Sequence, residues 1–356
     1  YSRLDRMIHG LAFSTKTAQI ALADMEDRSY ASQLKDISAE NAVFVTSLPR
    51  AGTTLLLETL EASSEFCSHT YRDMPFLLMP LFWSKMASRF HQESAPQERA
   101  HGDGMLVSVD SPEAFEEIIW ATFWKEQYGK ETVTPWDPRL KHEEFEHFLK
   151  QHFKKIILLR HANPSQGRYL SKNNMNIARL SYLAKTLPQA SLIVPFRKPL
   201  QHAASLLKQH QNFLAIHKED PFARKYMRDI GHYDFGENLK PINFNDWREK
   251  YPQLIPTQLE FWLRYWLEGY THIQSNLRPS ISLFSYDLFC SHPESSLSAL
   301  ADKINLSDRS VVLSKAQRAA PPKEHAVDVS GITPSLIEQA DACFHELVRQ
   351  ALNANT

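Results

Sequence analysis

Apolar positions along this chain follow two periods. Leu4, Ile8 and Leu11, then Ala18, Leu22 and Met25, recur at helical spacing and predict one or two leading helices within residues 1–38. The run Asn41-Ala-Val-Phe-Val-Thr-Ser47 is short, β-branched and aromatic, which predicts a buried strand. Three similar runs follow at 155–159 (Lys-Ile-Ile-Leu-Leu), 191–196 (Ser-Leu-Ile-Val-Pro-Phe) and 281–284 (Ile-Ser-Leu-Phe). Helical patterns over 54–62, 175–187, 200–214 and 293–304 separate them. Strands that do not alternate, spaced by helices, predict an α/β fold: a parallel sheet covered by helices on both faces. Such sheets bind ligands at the carboxyl ends of their strands, where the next helix begins.

Two stretches, 72–150 and 209–270, interrupt that skeleton and are rich in aromatic and charged residues. Trp120, Trp124, Trp247, Trp262 and Trp266 lie in them, either as helical cover for the sheet or as the wall of an acceptor site, and aromatic residues more often fill cores. The expectation is one domain over 1–356, with a core at about 40–310 and helical insertions at 72–150 and 209–270. The tail after Ala351 is expected to fray.

Composition narrows the chemistry. The 356 residues are 43% hydrophobic and 23% charged, with 40 Lys plus Arg against 41 Asp plus Glu. That balance provides no general cationic surface for nucleic acid, so an anion site has to be a local pocket. Three cysteines without a C-x-x-C argue against a disulfide framework or a thiolate metal site. No run approaches the roughly 18 apolar residues of a membrane span, and the first residues have no signal-peptide pattern, so a cytoplasmic protein is expected. The ten glycines form neither G-x-G-x-x-G nor a complete Walker A motif, which makes common dinucleotide enzymes and ordinary P-loop ATPases unfavoured.

The first strand leads directly into Ser47-Leu-Pro-Arg50-Ala51-Gly52-Thr53-Thr54 and then a helix. Gly52 permits close backbone approach, the first helical turn offers unpaired N–H groups, and Arg50 adds a forked cationic donor. Thr53 stands where the Walker lysine would be, so the loop suits a phosphate or sulfate without the usual γ-phosphate contact. A second strand ends in Arg197-Lys-Pro199, and on the following helix Ser205 falls about 150° from the centre of a Leu200/Ala203/Ala204/Leu207 face. Arg197 and Ser205 are therefore expected to point away from the core and to grip one anion. Lys172, in Ser171-Lys172-Asn173, is expected on the same rim.

Taken together these segments resemble sulfotransferases that use 3′-phosphoadenosine 5′-phosphosulfate (PAPS). The 47–54 loop is similar to their 5′-phosphosulfate loop, and Arg197-Lys-Pro with Ser205 to their 3′-phosphate motif. Ser171-Lys172-Asn173 resembles the lysine element of the tyrosylprotein and related bacterial enzymes, while Ser285-Tyr-Asp-Leu288 with His292-Pro-Glu294 is similar to a segment that follows the last core strand. The glycine-rich C-terminal cofactor loop of the cytosolic enzymes has no counterpart. The resemblance implies a P-loop-like fold and in-line sulfuryl transfer from PAPS to a hydroxyl or amine on a small molecule, glycan or lipid. It assigns Arg50, Ala51, Gly52, Thr53 and Thr54 to the phosphosulfate, Arg197 and Ser205 to the 3′-phosphate, and Lys172 to the leaving oxygen.

The acceptor's proton needs a base. Asp73, before Pro75 and shortly after the first core helix, is the leading candidate; His101, in His101-Gly-Asp103-Gly104, is the alternative. No metal is expected: the histidines of His142-Glu-Glu-Phe-Glu-His147 are five apart, about 140° around a helix, where shared zinc ligation wants four. A kinase on a degenerate P-loop and a non-catalytic anion-binding module remain the alternatives.

Overall fold

The computed structural model describes residues 3–87, 97–98, 106–107, 115–320, 324 and 326–354. Five strands, β1 (Val43–Val45), β2 (Phe66–Cys67), β3 (Arg168–Lys172), β4 (Ser191–Phe196) and β5 (Ile281–Ser285), form an all-parallel sheet in the order β2-β3-β1-β4-β5. Central β1 pairs Val45 with Lys172 on one side and with Ile193 on the other. After β1 the chain moves to the β2/β3 side, then crosses back to β4 and β5. That reversal places a ligand crevice at the carboxyl end of β1.

Successive side chains on the strands point to opposite layers, and both layers are apolar. Phe44, Leu192 and Val194 join one cluster with Trp120, Trp124, Trp247, Trp262 and Trp266; Val43, Val45 and Ile193 join a second with Leu56, Leu60, Phe289 and Leu297. All five tryptophans in question are buried, which is the core reading of them.

The run 155–159 is a correction. It lies within helix α2 (Glu143–Arg160), the second core helix after α1 (Thr53–Glu61). Phe145, Phe148, Leu149, His152, Phe153, Ile156 and Ile157 are buried at helical spacing, so Ile156-Ile157 ends a long stripe that a five-residue window misreads as a strand. The edge-side strand is instead Arg168–Lys172, and Lys172 reaches the rim as its last residue. Lys155, nearly inaccessible, bonds the Ala23 carbonyl at 2.8 Å and ion-pairs with Glu26 and Asp27, tying a leading helix (Lys16–Ser29) to α2.

The face of α3 (Pro199–Glu219) is a second correction. Its buried side runs through His202, Ala203, Ser205, Leu206, Gln209, His210 and Phe213, while Leu200, Ala204 and Leu207 are half-buried. The buried positions are polar because they hold backbone from other segments: His210 and His217 accept from the Gly236 and Glu237 amides, each at 3.1 Å. Burial holds the His210 imidazole down at about 4, leaving it neutral and able to accept.

Leu352 and Asn353 pack against β5, where fraying is expected after Ala351. Leu352 N–H donates to Leu283 O at 2.8 Å; the Asn353 amide accepts from Ser285 N–H at 2.9 Å and donates to Ser285 O at 3.0 Å. These contacts cover the outer edge of the sheet. Asn353→Ala leaves buried backbone groups of Ser285 unpaired, and the expected cost is about 1–3 kcal/mol. Urea denaturation followed by tryptophan fluorescence reads that loss directly.

Candidate active site

Four strand ends meet at the rim. Beyond β1, Thr46 N–H donates to Ile193 O at 3.0 Å, and Ser47 Oγ donates to Pro195 O at 2.6 Å with the Tyr270 hydroxyl 2.8 Å away. Pro195 cannot donate from its nitrogen, but its carbonyl anchors the loop. The backbone then turns through positive φ at Arg50 (69°) and Gly52 (93°) into α1. A Cβ on Gly52 would lie 2.3 Å from the Tyr286 ring, so the glycine is required twice, for its dihedral and for its space. No side chain caps the α1 N-terminus, whose first-turn N–H groups face the rim.

The 197–205 segment closes onto this loop. Arg197, 8% exposed, donates from Nη1 to Arg50 O at 2.8 Å, and Arg50 Nε reaches Ser205 Oγ at 3.5 Å. His202 bonds Pro49 O at 2.7 Å. Burial and the neighbouring Arg197 charge hold its imidazole down at about 3; it is therefore neutral, with the proton on Nε2 because a carbonyl can only accept. Tyr286 stands between Gly52 and Arg197, whose guanidinium carbon is 5.5 Å from the ring centroid, and Asp287 accepts from Lys198 N–H at 3.0 Å. The Tyr286-Asp287 pair thus braces both loops.

Beyond β3, Lys172 is nine-tenths buried and Asn173 N–H donates to Val45 O at 3.1 Å. Asn173 also donates to Glu117 Oε2 at 2.8 Å. Glu117 pairs with Arg179 and accepts from the Tyr128 hydroxyl; burial raises its carboxyl above the ordinary range despite the Arg179 charge. Arg179 lies between Trp120 and Trp136, 4.0 and 4.5 Å from their centroids. Asn174 links the turn to the first loop, accepting from Thr53 Oγ1 at 3.3 Å and donating to Asp234 Oδ2 at 3.3 Å.

The structure therefore brings Arg50, Ala51, Gly52, Thr53, Thr54, Arg197, Ser205 and Lys172 to one rim. Ser205 gets there from the buried side of α3. Asp73 follows β2 at the sheet's edge, 3% exposed, with both oxygens engaged: Oδ1 with Arg160 and Oδ2 with Thr70 N–H at 2.9 Å and His69 at 3.5 Å. Burial would raise its carboxyl, but the His69 bond and the Arg160 charge outweigh that and hold it below the usual range. These surroundings favour an anchoring role over proton transfer. His101 and Asp103 lie outside the described residues. Among the described residues no cluster of three His, Cys, Asp or Glu could hold a metal, and no helix is long and apolar enough to cross a membrane. Asn174, His202, Glu117 and Asp234 carry no motif signal; Tyr286 and Asp287 stood inside the Ser285–Leu288 segment without an assigned task.

A sulfotransferase family model matches residues 42–237, just over half of the chain, and takes in the 47–54 loop, Lys172 and Arg197 with Ser205. The chain belongs to the sulfotransferase family. Solved structures similar to this sulfotransferase include STF9 from Mycobacterium avium, at 13% identity and TM-score 0.49 over 92% of this chain and 80% of that one. STF1 from Mycobacterium tuberculosis is similar at 12% identity and TM-score 0.45, covering 91% and 81%. A sulfotransferase from Alicyclobacillus acidocaldarius is similar at 10% and 0.37, covering 86% and 92%. No curated protein sequence matches this chain.

Two outcomes follow from the geometry. Gly52→Ala is expected to displace Tyr286 and to lower the thermal midpoint followed by circular dichroism, because a Cβ there would lie 2.3 Å from the Tyr286 ring. Asp73→Asn leaves the Arg160 charge without its partner and should cost about 3 kcal/mol. Because the folded Asp73 carboxyl is depressed, its stabilisation is complete above the ordinary value near 3.8 and fades as pH falls through the lower folded value. Denaturation midpoints measured across that acid range should accordingly fall less steeply for Asp73→Asn than for the wild type.

Proposed function

We propose that this sulfotransferase takes its sulfuryl group from PAPS, passes it in line to an acceptor hydroxyl or amine, and releases adenosine 3′,5′-bisphosphate. The observation that carries this reading is the closure of two basic helix-start loops on each other, Arg197 to the Arg50 carbonyl and Arg50 to Ser205. One loop alone would suit any phosphate; two at adjacent strand ends suit a nucleotide bearing phosphates at both the 5′ and the 3′ positions.

In this reading Ala51, Gly52, Thr53 and Thr54 offer the uncapped N–H groups and hydroxyls of the α1 start to the 5′-phosphosulfate, and Arg50 adds charge. The nearly inaccessible Ala51 and the packed Gly52 hold those donors in place before binding, so little reorganisation is needed. Arg197 and Ser205 hold the 3′-phosphate. Lys172, at the end of β3, neutralises the charge that collects on the departing 5′-phosphate oxygen. The donor supplies an activated sulfuryl group, and the protein's part is positioning and electrostatic stabilisation, as in phosphoryl transfer. No metal has a role in this reading. The acceptor is a small molecule, glycan or lipid entering from the side of the two insertions.

Isothermal titration with adenosine 3′,5′-bisphosphate and with AMP tests the assignment. The bisphosphate is expected to bind more tightly, and Ser205→Ala, which leaves the Arg197 bond to the Arg50 carbonyl in place, to weaken it by about 1.5–3 kcal/mol while changing AMP little. Equal losses for both ligands would remove Ser205 from the 3′-phosphate site.

A further inference from the structure

Sulfuryl transfer to a neutral hydroxyl or amine needs a group to take its proton, and the second insertion brings a carboxylate to the rim. Resting on the sulfuryl-transfer reading above, we propose that Asp234 is the general base of this enzyme. As the acceptor oxygen bonds to sulfur, its proton passes to Asp234 Oδ1. The bond from sulfur to the bridging oxygen breaks, its electron pair stays on the 5′-phosphate beside Lys172, and Asp234 afterwards returns the proton to solvent. The products are the sulfated acceptor, the bisphosphate and one proton.

Asp234 Oδ2 accepts from Asn174 at 3.3 Å, and Asn174 accepts from Thr53 Oγ1 at 3.3 Å. Two hydrogen bonds and one amide width place the carboxylate within about 9 Å of the phosphosulfate loop. An acceptor oxygen about 3 Å from sulfur and a base about 3 Å beyond it require a separation of roughly 6 Å, which fits inside that bound.

The contacts of Asp234 to Asn174 and to His232 Nε2, the latter at 3.8 Å, both use Oδ2. Among the described residues no group hydrogen-bonds Oδ1, and the side chain is 17% exposed. Asp73 has both oxygens in ion pairs or backbone bonds and almost no exposure.

The carboxylate is also held rigidly. Gly231, at φ +83°, packs so closely on Glu117 that a Cβ would lie 2.6 Å from its Cγ. His210 and His217 fix the Gly236 and Glu237 amides on the other side, and the Tyr233 ring lies 5.8 Å from that of Tyr128. Glu117, which holds Asn173, therefore also supports the turn that carries Asp234. Both sides of the reacting geometry rest on one buried anchor.

A base matters only for an acceptor that still carries its proton. The test measures transfer from radiolabelled PAPS at mildly alkaline pH to 1-octanol, chitobiose, 2-naphthol and water, and to 4-nitrophenol, which is already ionised there. Asp234→Asn is expected to lower transfer to the protonated probes by about 10²–10⁴-fold, to leave 4-nitrophenolate within a few-fold, and to preserve bisphosphate affinity. An unchanged rate with the protonated probes overturns the assignment of Asp234 and leaves the sulfuryl-transfer reading standing. An equal loss with 4-nitrophenolate makes Asp234 a structural residue and overturns it as well. The same selective loss in His232→Asn or in folded Asp73→Asn, with Asp234→Asn active, moves the base to that residue. If the wild type neither binds the bisphosphate nor cleaves PAPS with any probe, the sulfuryl-transfer reading falls, and Asp234 with it.

Discussion

Two backbone carbonyls hold this site together. Pro49 and Arg50 lie in a turn with no regular hydrogen-bonding partner, and their oxygens are taken by side chains of the segment after β4: His202 for the first, Arg197 for the second. A buried carbonyl left unpaired costs about 1–3 kcal/mol, so these contacts decide the shape of the loop. The neutral His202 is suited to the task because burial, and then the nearby Arg197 and Arg50 charges, make its protonation unfavourable. Tyr286 then seals the arrangement by filling the space that a side chain at Gly52 would need.

A second constraint lies beneath the turn after β3. Glu117 and Arg179 are both buried, and removing two charges from water is expensive unless every group is matched. Here Asn173 and Tyr128 complete the carboxylate, and two indole faces flank the guanidinium. The result fixes the path of Asn173 and Asn174, and through them the spacing between Lys172 and the α1 start. The segments that carry Glu117 and Asp234 are therefore part of the site's foundation. Trp120, Trp124, Trp247, Trp262 and Trp266 pack into the same apolar layer as Phe44, Leu192 and Val194.

Much of this was legible from local pattern. A β-branched run followed by a turn and a helix is a local grammar, and it located β1, β4 and β5, the loop at 47–54 and Arg197. The same grammar failed at 155–159, where apolar residues at the end of a long amphipathic helix look like a short strand. It also failed at β3, whose sequence Arg-Tyr-Leu-Ser-Lys has only two apolar residues. Such a strand is stabilised by pairing with β1 and β2 and carries little propensity of its own. Ser205 reaches the rim from the buried side of α3, which is polar where it supports other backbone, and the face rule of a simple amphipathic helix does not describe it.

By itself the sequence determined the alternation of strands and helices, the loop chemistry that follows β1 and β4, and the absence of the common nucleotide fingerprints. These depend on residues a few positions apart, whose steric and hydrogen-bonding preferences act before the chain is folded. The tertiary structure alone decided that Asn174 would bridge Thr53 and Asp234, that Arg160 would occupy Asp73, and that Asn353 would cover the edge of β5. Each of those contacts joins residues 60 to 121 positions apart. A polar side chain can meet any of several partners at that range. Which one it meets is set only when the packed sheet brings their strand ends to the same edge.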